Sequence, residues 1–242
     1  MVRLDRLLVR RALFDSRAKA RAAILAGRVK VDGAVVERPS ASVDEGVTIE
    51  AEAAHPWVGR GALKLDHALS LWPVAVQGRV ALDVGASTGG FTEVLLARGA
   101  LRVYAVDVGH GQLHPRLESD PRVTALEGVD ARRLDSGLVP ESPALIVCDA
   151  SFIGSAKVLP AALALAAAGA DLVTLVKPQF EVGPERVGKG GLVRDPEARA
   201  DAVRAVRTWL ETQGWVVRGE AESPITGGGG AVEVLLWASL TR

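Results

Sequence analysis

From residue 61 onward the chain alternates two patterns of apolar and polar positions. Short, largely apolar runs at 80–84, 103–107, 123–127, 144–148, 171–176, 215–221 and 232–237 predict strands. Between them, apolar residues recur every three or four positions and predict helices. Such alternation predicts an α/β domain with a mostly parallel seven-stranded sheet covered on both faces. The longest apolar stretch, VLPAALALAAAGADLVTLV (158–176), is broken by Pro160, Gly169 and Asp171, so it predicts a buried helix and then a strand, not a membrane span.

The first fifty residues follow another rhythm. Leu4, Leu7, Leu8 and Leu13 form a helical stripe, and Ser16 is placed to cap a second helix that Gly27 ends. A short strand, an Asp32-Gly33 turn and further short strands at 34–36 and 47–49 complete an α+β unit. Pro56 and Trp57 sit in a stretch with neither period. The expected division is therefore a small domain over 1–52, a linker over 53–60 and the large domain over 61–242.

Charge sharpens this division. The net charge is zero, yet residues 1–30 hold nine Lys/Arg against Asp5 and Asp15 alone. Arg3, Arg6, Arg10, Arg11, Arg17, Lys19, Arg21, Arg28 and Lys30 are either a solvated helix face or an RNA-binding surface, and so lopsided a ratio favours RNA. Cys148 is the single cysteine, which excludes an internal disulfide and fits a reducing cytoplasm. The start MVRLDRLLVRR lacks an apolar signal core. His55, His67, His110 and His114 lack a ligand spacing, so no metal site is expected.

The candidate chemistry begins at ALDVGASTGGFTEVLL (81–96), which reads as strand, glycine turn and helix. Glycines there let a ligand lie against bare backbone at the carboxyl end of a strand. Asp107 ends the next strand, 22 residues after Gly85, where an acid binds ribose hydroxyls. A nucleoside-containing cofactor is implied. The NTPase phosphate loop fails because Phe91 stands where its lysine belongs, and the dinucleotide fingerprint fails because Ala86-Ser87 follows Gly85. Asp83 would repel a pyrophosphate yet accept from an amino group, so S-adenosyl-L-methionine fits better. Elsewhere, Asp149 and Lys177 each end an apolar strand, Lys64 opens an amphipathic helix, and Glu233 lies within the apolar run AVEVLLW. Buried and unpaired, such a lysine or glutamate would cost several kcal/mol. Either they form ordinary structural ion pairs or they share a catalytic role, and the nearby cofactor turn favours the second.

Two resemblances extend this reading. Over residues 2–50 the pattern R-A-x-A-x-I-x-x-G-x-V-x-V-D-G is similar to the alpha-L RNA-binding module of a small-subunit ribosomal protein and several pseudouridine synthases. Residues 60–240 resemble RrmJ/FtsJ-type ribose 2′-O-methyltransferases, whose fold is the Rossmann-like class I methyltransferase. GASTGGFTEVLL, VDVGHGQL, LVKPQFEVG and GGLVRDP make the whole chain resemble the TlyA (haemolysin A) family. The resemblance implies a Lys-Asp-Lys-Glu tetrad on Lys64, Asp149, Lys177 and Glu233. It implies cofactor contacts on Asp83, Gly85, Ser87, Thr88, Gly89, Gly90, Phe91, Asp107, Val108, Asp130 and Asp149. Lys177 would take the ribose proton or stabilise the alkoxide: burial and Lys64 favour its neutral form, Asp149 and Glu233 its charged form. The implied substrate is ribosomal RNA, a cytidine ribose.

Departures from the family are few. Gly59 stands where serine is common, Asp130 where asparagine is frequent, and nine residues follow Glu233. The last feature resembles the short form of the family, which implies large-subunit rRNA as substrate. An Asp-Ala-Ser-Phe segment at 149–152 argues against amino-group methylation, and the buried-strand setting of Cys148 argues against a cysteine nucleophile. Two competing readings are a membrane-active haemolysin and a ribosome-assembly factor using the methyltransferase fold as a silent scaffold. The first lacks a signal, a span or a strongly amphipathic cationic helix; the second leaves the four polar residues unexplained.

Overall fold

The computed structural model describes residues 1–241 and divides into two units, Met1–Pro56 and a second beginning at Trp57. The second unit thus starts four residues before the expected 61. Val58 is buried there and its N–H donates to Glu93 at 2.6 Å, which removes residues 57–60 from the linker.

In the first unit β1 (Val2–Arg3) leads into α1 (Leu4–Arg10), followed by α2 (Arg17–Leu25), β2 (Val29–Val31), β3 (Ala34–Val35), β4 (Ser42–Val43) and β5 (Ile49–Ala51). Leu4, Leu7 and Leu8 are buried as the stripe predicts, but Leu13 is exposed, because Ala12 turns left-handed (φ 54°) and ends the periodicity. Ser16 caps α2 by accepting from the Lys19 N–H at 3.3 Å. Asp32 and Gly33 both have positive φ and join β2 to β3. The last strand starts at Ile49, two residues later than expected, since the Thr48 N–H is taken by the Asp32 carboxylate at 2.8 Å.

The second unit holds α3 (Ala62–Leu71), β6 (Val80–Val84), α4 (Gly90–Ala97), β7 (Arg102–Asp107), α5 (Pro115–Glu118), β8 (Val123–Glu127), β9 (Leu145–Cys148), α6 (Ser155–Val158), α7 (Pro160–Ala164), β10 (Asp171–Val176), α8 (Pro178–Glu181), α9 (Pro196–Thr212), β11 (Trp215–Glu222) and β12 (Val234–Leu240). The seven strands lie in the order β11-β12-β10-β9-β6-β7-β8, with β12 antiparallel to both neighbours and the other neighbouring pairs parallel. Alternate residues of each strand enter two cores, one on each face: Ala81, Leu145 and Val147 pack with α3 and α4, Leu82, Ile146 and Cys148 with α7 and α9. Strand order reverses at β6, which pairs with β7 on one side and β9 on the other. The crevice beyond β6 and β9 is where an open α/β sheet binds its ligand.

β12 departs furthest from the sequence pattern, while β7, β9 and β11 differ from it by one residue. β12 begins at Val234, so Glu233 lies just ahead of it rather than inside it. The glycine run 227–230 turns the chain there, and a Cβ on Gly227 would run into the Glu233 carboxylate.

Candidate active site

The reversal point carries a cavity of about 510 Å³, lined by Gly85, Ser87, Asp107, Val108, Asp130 and Asp149 among others. Small-molecule pockets typically measure about 300–1,000 Å³. Gly85 has φ +85°, and a Cβ there would stand 3.0 Å from the Ala150 backbone, so the turn beside the cavity needs glycine. Asp107 accepts from the Ser87 and Gly109 N–H groups, both at 2.8 Å, which fixes its carboxylate and leaves further lone pairs for hydroxyl donors. Apolar side chains of Val108, Ile153 and Val158 provide walls for a flat heterocycle. These residues fit an adenosyl ligand.

Other expected cofactor residues lie elsewhere. Thr88, Gly90 and Phe91 line a second cavity of about 280 Å³, which Gly85, Ser87 and Asp149 share. Gly89 and Asp83 line neither. Asp83 shares the inward face of β6 with Ala81, pointing at α4, where Thr92 Oγ1 donates to it at 2.7 Å. Its other oxygen has no hydrogen-bond partner. Burial pushes this carboxyl up to about 7, against the pull of the Thr92 hydrogen bond. Asp130 reaches the first cavity but is engaged by its neighbour: Arg132 donates from Nη2 at 2.5 Å, and this holds the carboxyl down to about 2.

The four polar residues from strand and helix edges meet in the second cavity. Lys64 Nζ on α3 lies 3.1 Å from Asp149 Oδ2 and 2.6 Å from Glu233 Oε2. Lys177, just past β10, lies 2.7 Å from Asp149 Oδ1. Lys64, Lys177 and Glu233 are buried, so two cations and two anions neutralise one another out of water. Cys148, adjacent in chain, is buried in β9 and pushed up to about 11 by desolvation, which makes it an inert thiol.

A third cavity, about 350 Å³, opens beside Lys177 and Glu233 and holds two residues that sequence reasoning passed over, Ser151 and Phe152. Phe152 is 90% exposed with φ +66°, unusual for an aromatic residue, and its ring lies 5.4 Å from that of Phe180. The available signal was their place, directly after the apolar strand that ends at Asp149.

Comparison with known proteins agrees with this architecture. An FtsJ-like methyltransferase model matches residues 57–240, and an S4 domain model matches residues 2–49. The chain is 48% identical to the 16S/23S rRNA (cytidine-2′-O)-methyltransferase TlyA of Mycobacterium tuberculosis, across 97% of this chain and 88% of that one. The chain belongs to the TlyA family of FtsJ-like methyltransferases. Hemolysin A of Brachyspira hyodysenteriae is 36% identical, over 97% and 98% of the two chains. A solved structure described as a putative hemolysin from Streptococcus thermophilus superposes with a TM-score of 0.79 at 36% identity, covering 99% of this chain and 88% of that one. Among the described residues no helix is long and apolar enough to cross a membrane.

Most of the cations expected to contact RNA are engaged within the S4 domain. Arg3 and Arg17 both pair with the buried Asp5, at 3.0 and 2.9 Å. Lys19 pairs with Asp15, Arg10 with Glu45, Arg28 with Glu52 and Lys30 with Glu50, while Arg11 donates to the Val47 carbonyl. Of the nine expected RNA contacts, Arg6, Arg11 and Arg21 have no ion-pair partner among the described residues, and Arg11 is held by backbone carbonyls instead.

Proposed function

We infer that this chain transfers a methyl group from S-adenosyl-L-methionine to the 2′-hydroxyl of a cytidine ribose in ribosomal RNA, large-subunit rRNA first, in the cytoplasm where ribosomes are. The observation that carries this reading is the convergence of Lys64, Asp149, Lys177 and Glu233 beside a cofactor-sized cavity. S-adenosyl-L-methionine supplies an electrophilic methyl group on a sulfonium. The protein must hold the ribose oxygen in line with it and dispose of a proton, and alignment alone is worth up to about 7–11 kcal/mol.

Gly85, Ser87, Asp107 and Asp130 hold the cofactor, with Asp107 accepting from its ribose. Asp149, which borders both the first and second cavities, orients Lys177. Lys64 and Glu233 hold Asp149 in place and keep the cluster neutral. Phe152 offers its exposed ring as a stacking surface for an unpaired base, as single-stranded RNA recognition requires. The S4 domain brings backbone phosphates to Arg6, Arg21 and cations that exchange their carboxylate partners for phosphate. Mapping ribose methylation in rRNA, subunits and ribosomes with labelled cofactor tests this: one 2′-O-methyl site, lost in Lys177→Ala, is expected. Incorporation into a base, or none into any form of rRNA, would overturn it.

A further inference from the structure

Ser151 alone lines all three cavities: the cofactor-sized one, the one holding the charged cluster, and the one beneath Phe152. It is exposed, and its Oγ lies 2.7 Å from Lys177 Nζ. The other two close partners of that nitrogen are Asp149 Oδ1 at 2.7 Å and the Asp149 carbonyl at 3.1 Å. Those two oxygens only accept hydrogen bonds. A serine hydroxyl both accepts and donates.

The donor count decides what this arrangement can do. A charged lysine would spend all three hydrogens on these partners and keep no lone pair for a ribose proton. A neutral lysine has two hydrogens and one lone pair, matching two acceptors and one donor. At rest Lys177 Nζ donates to Ser151 Oγ; once the lysine has given up a proton, its remaining hydrogens can stay on Asp149 and its lone pair can accept from the same hydroxyl. The Ser151 oxygen then has lone pairs turned toward the cavities.

Resting on the ribose-methylation reading, we propose that Ser151 is the proton relay between the attacking 2′-hydroxyl and Lys177. As the ribose oxygen bonds to the methyl carbon, its O–H bond breaks and that proton passes to Ser151 Oγ. The original Ser151 proton moves to Lys177 Nζ, which becomes an ammonium held by Asp149. The carbon–sulfur bond breaks with its electron pair left on sulfur. Lys177 afterwards returns its proton to solvent through the exposed Ser151. The titratable groups around Lys177 come from three elements: Asp149, which touches it, and Cys148 at the end of β9, with Lys64 on α3 and Glu233 ahead of β12 lining the same cavity.

The test is a single-turnover methylation rate against pH for wild type, Ser151→Ala and Ser151→Thr. Calorimetric binding of S-adenosylhomocysteine and thermal unfolding run alongside. The wild-type rate should rise with pH, as a step that needs an unprotonated base does. Ser151→Ala should lose about 100-fold or more in rate and flatten that slope, with cofactor-product binding and unfolding unchanged. Ser151→Thr, which keeps a hydroxyl, should stay within about tenfold of wild type and keep the slope. Ser151→Ala retaining either the wild-type rate or the wild-type slope would overturn the relay alone. A wild type that methylates no ribose in any form of rRNA would bring down the functional reading and the relay with it.

Discussion

Asp5 and Asp83 are both sealed from solvent, one in each unit, and their carboxyl groups are pushed in opposite directions. Asp5 sits between Arg3 and Arg17, whose hydrogen bonds and charge hold it well below the usual carboxylate range. Asp83 has a single neutral donor, Thr92, and burial lifts it to about 7. The difference shows that an interior carboxylate keeps its charge only where nearby cations outweigh the cost of burial. It also shows how the two units use charge. Residues 1–52 contain ten Lys/Arg and eight Asp/Glu, and most of the cations are paired within the unit. In the second unit Lys64, Asp149, Lys177 and Glu233 line one cavity together, and Lys177 and Glu233 border another, so their charges face open space.

The largest effect that sharpens this contrast is on turnover. Lys177→Ala should lower methylation by at least about 100-fold while leaving RNA affinity in a filter-binding assay near wild type. A parallel loss of RNA binding would mean that the two units do not divide the work.

Next in size is the opposite pH response of the two aspartates. The folded-state value of Asp83 lies above its unfolded one, so its cost to stability grows as pH rises from about 4 to about 7. Asp83→Asn should therefore gain stability over wild type at pH 8, by up to roughly 4 kcal/mol, and lose that advantage near pH 4. Asp5 is depressed, so its contribution is complete above the unfolded value and disappears as pH falls through and below it. Asp5→Asn should be destabilised at pH 7, with the penalty shrinking in acid. Urea unfolding of the full chain across pH reads both; slopes of the same sign would break the comparison.

Cofactor affinity should respond more modestly. Asp107→Ala removes an acceptor held by two backbone N–H groups and should weaken S-adenosylhomocysteine binding about 10- to 100-fold by calorimetry, matching roughly 1.5–3 kcal/mol for a charged hydrogen bond. Unchanged affinity would remove Asp107 from the cofactor site. Smallest is the effect expected of the unpaired cations in the first unit. Arg6→Glu with Arg21→Glu should reduce rRNA affinity about tenfold and lower the salt slope by about one per lost phosphate contact. No change there would assign RNA binding to the cations that now sit in ion pairs.

These contrasts follow what a linear sequence can and cannot carry. Strands 80–84, 123–127 and 171–176 are found on their expected bounds, because glycine or polar residues bracket each run. The glycine turn after β6 is equally legible, since Gly85 and Asp107 take their geometry from the ends of their own strands. Ion pairing in the first unit was not legible: Glu45, Glu50 and Glu52 reach back across 20 to 35 residues to Arg10, Lys30 and Arg28 respectively. Asp83 was read as facing a ligand, yet the two-residue period of β6 turns it toward α4. Ser151 and Phe152 carried no residue-type signal, because a serine and a phenylalanine are common anywhere. Their meaning comes from the cavities that meet around them.

The position of β12 has a consequence for how the molecule comes into being. This strand is made after both of its neighbours, yet it occupies the interior slot between β10 and β11. Glu233, at its entrance, completes a cluster whose first member was made 169 residues earlier. Pairing of such distant segments is slow and comes late in folding. A nascent chain stopped before β12 holds the cofactor turn and three of the four charged residues, but leaves Lys64 short of one carboxylate. The four-residue cluster is therefore complete only once β12 has inserted between two strands made before it.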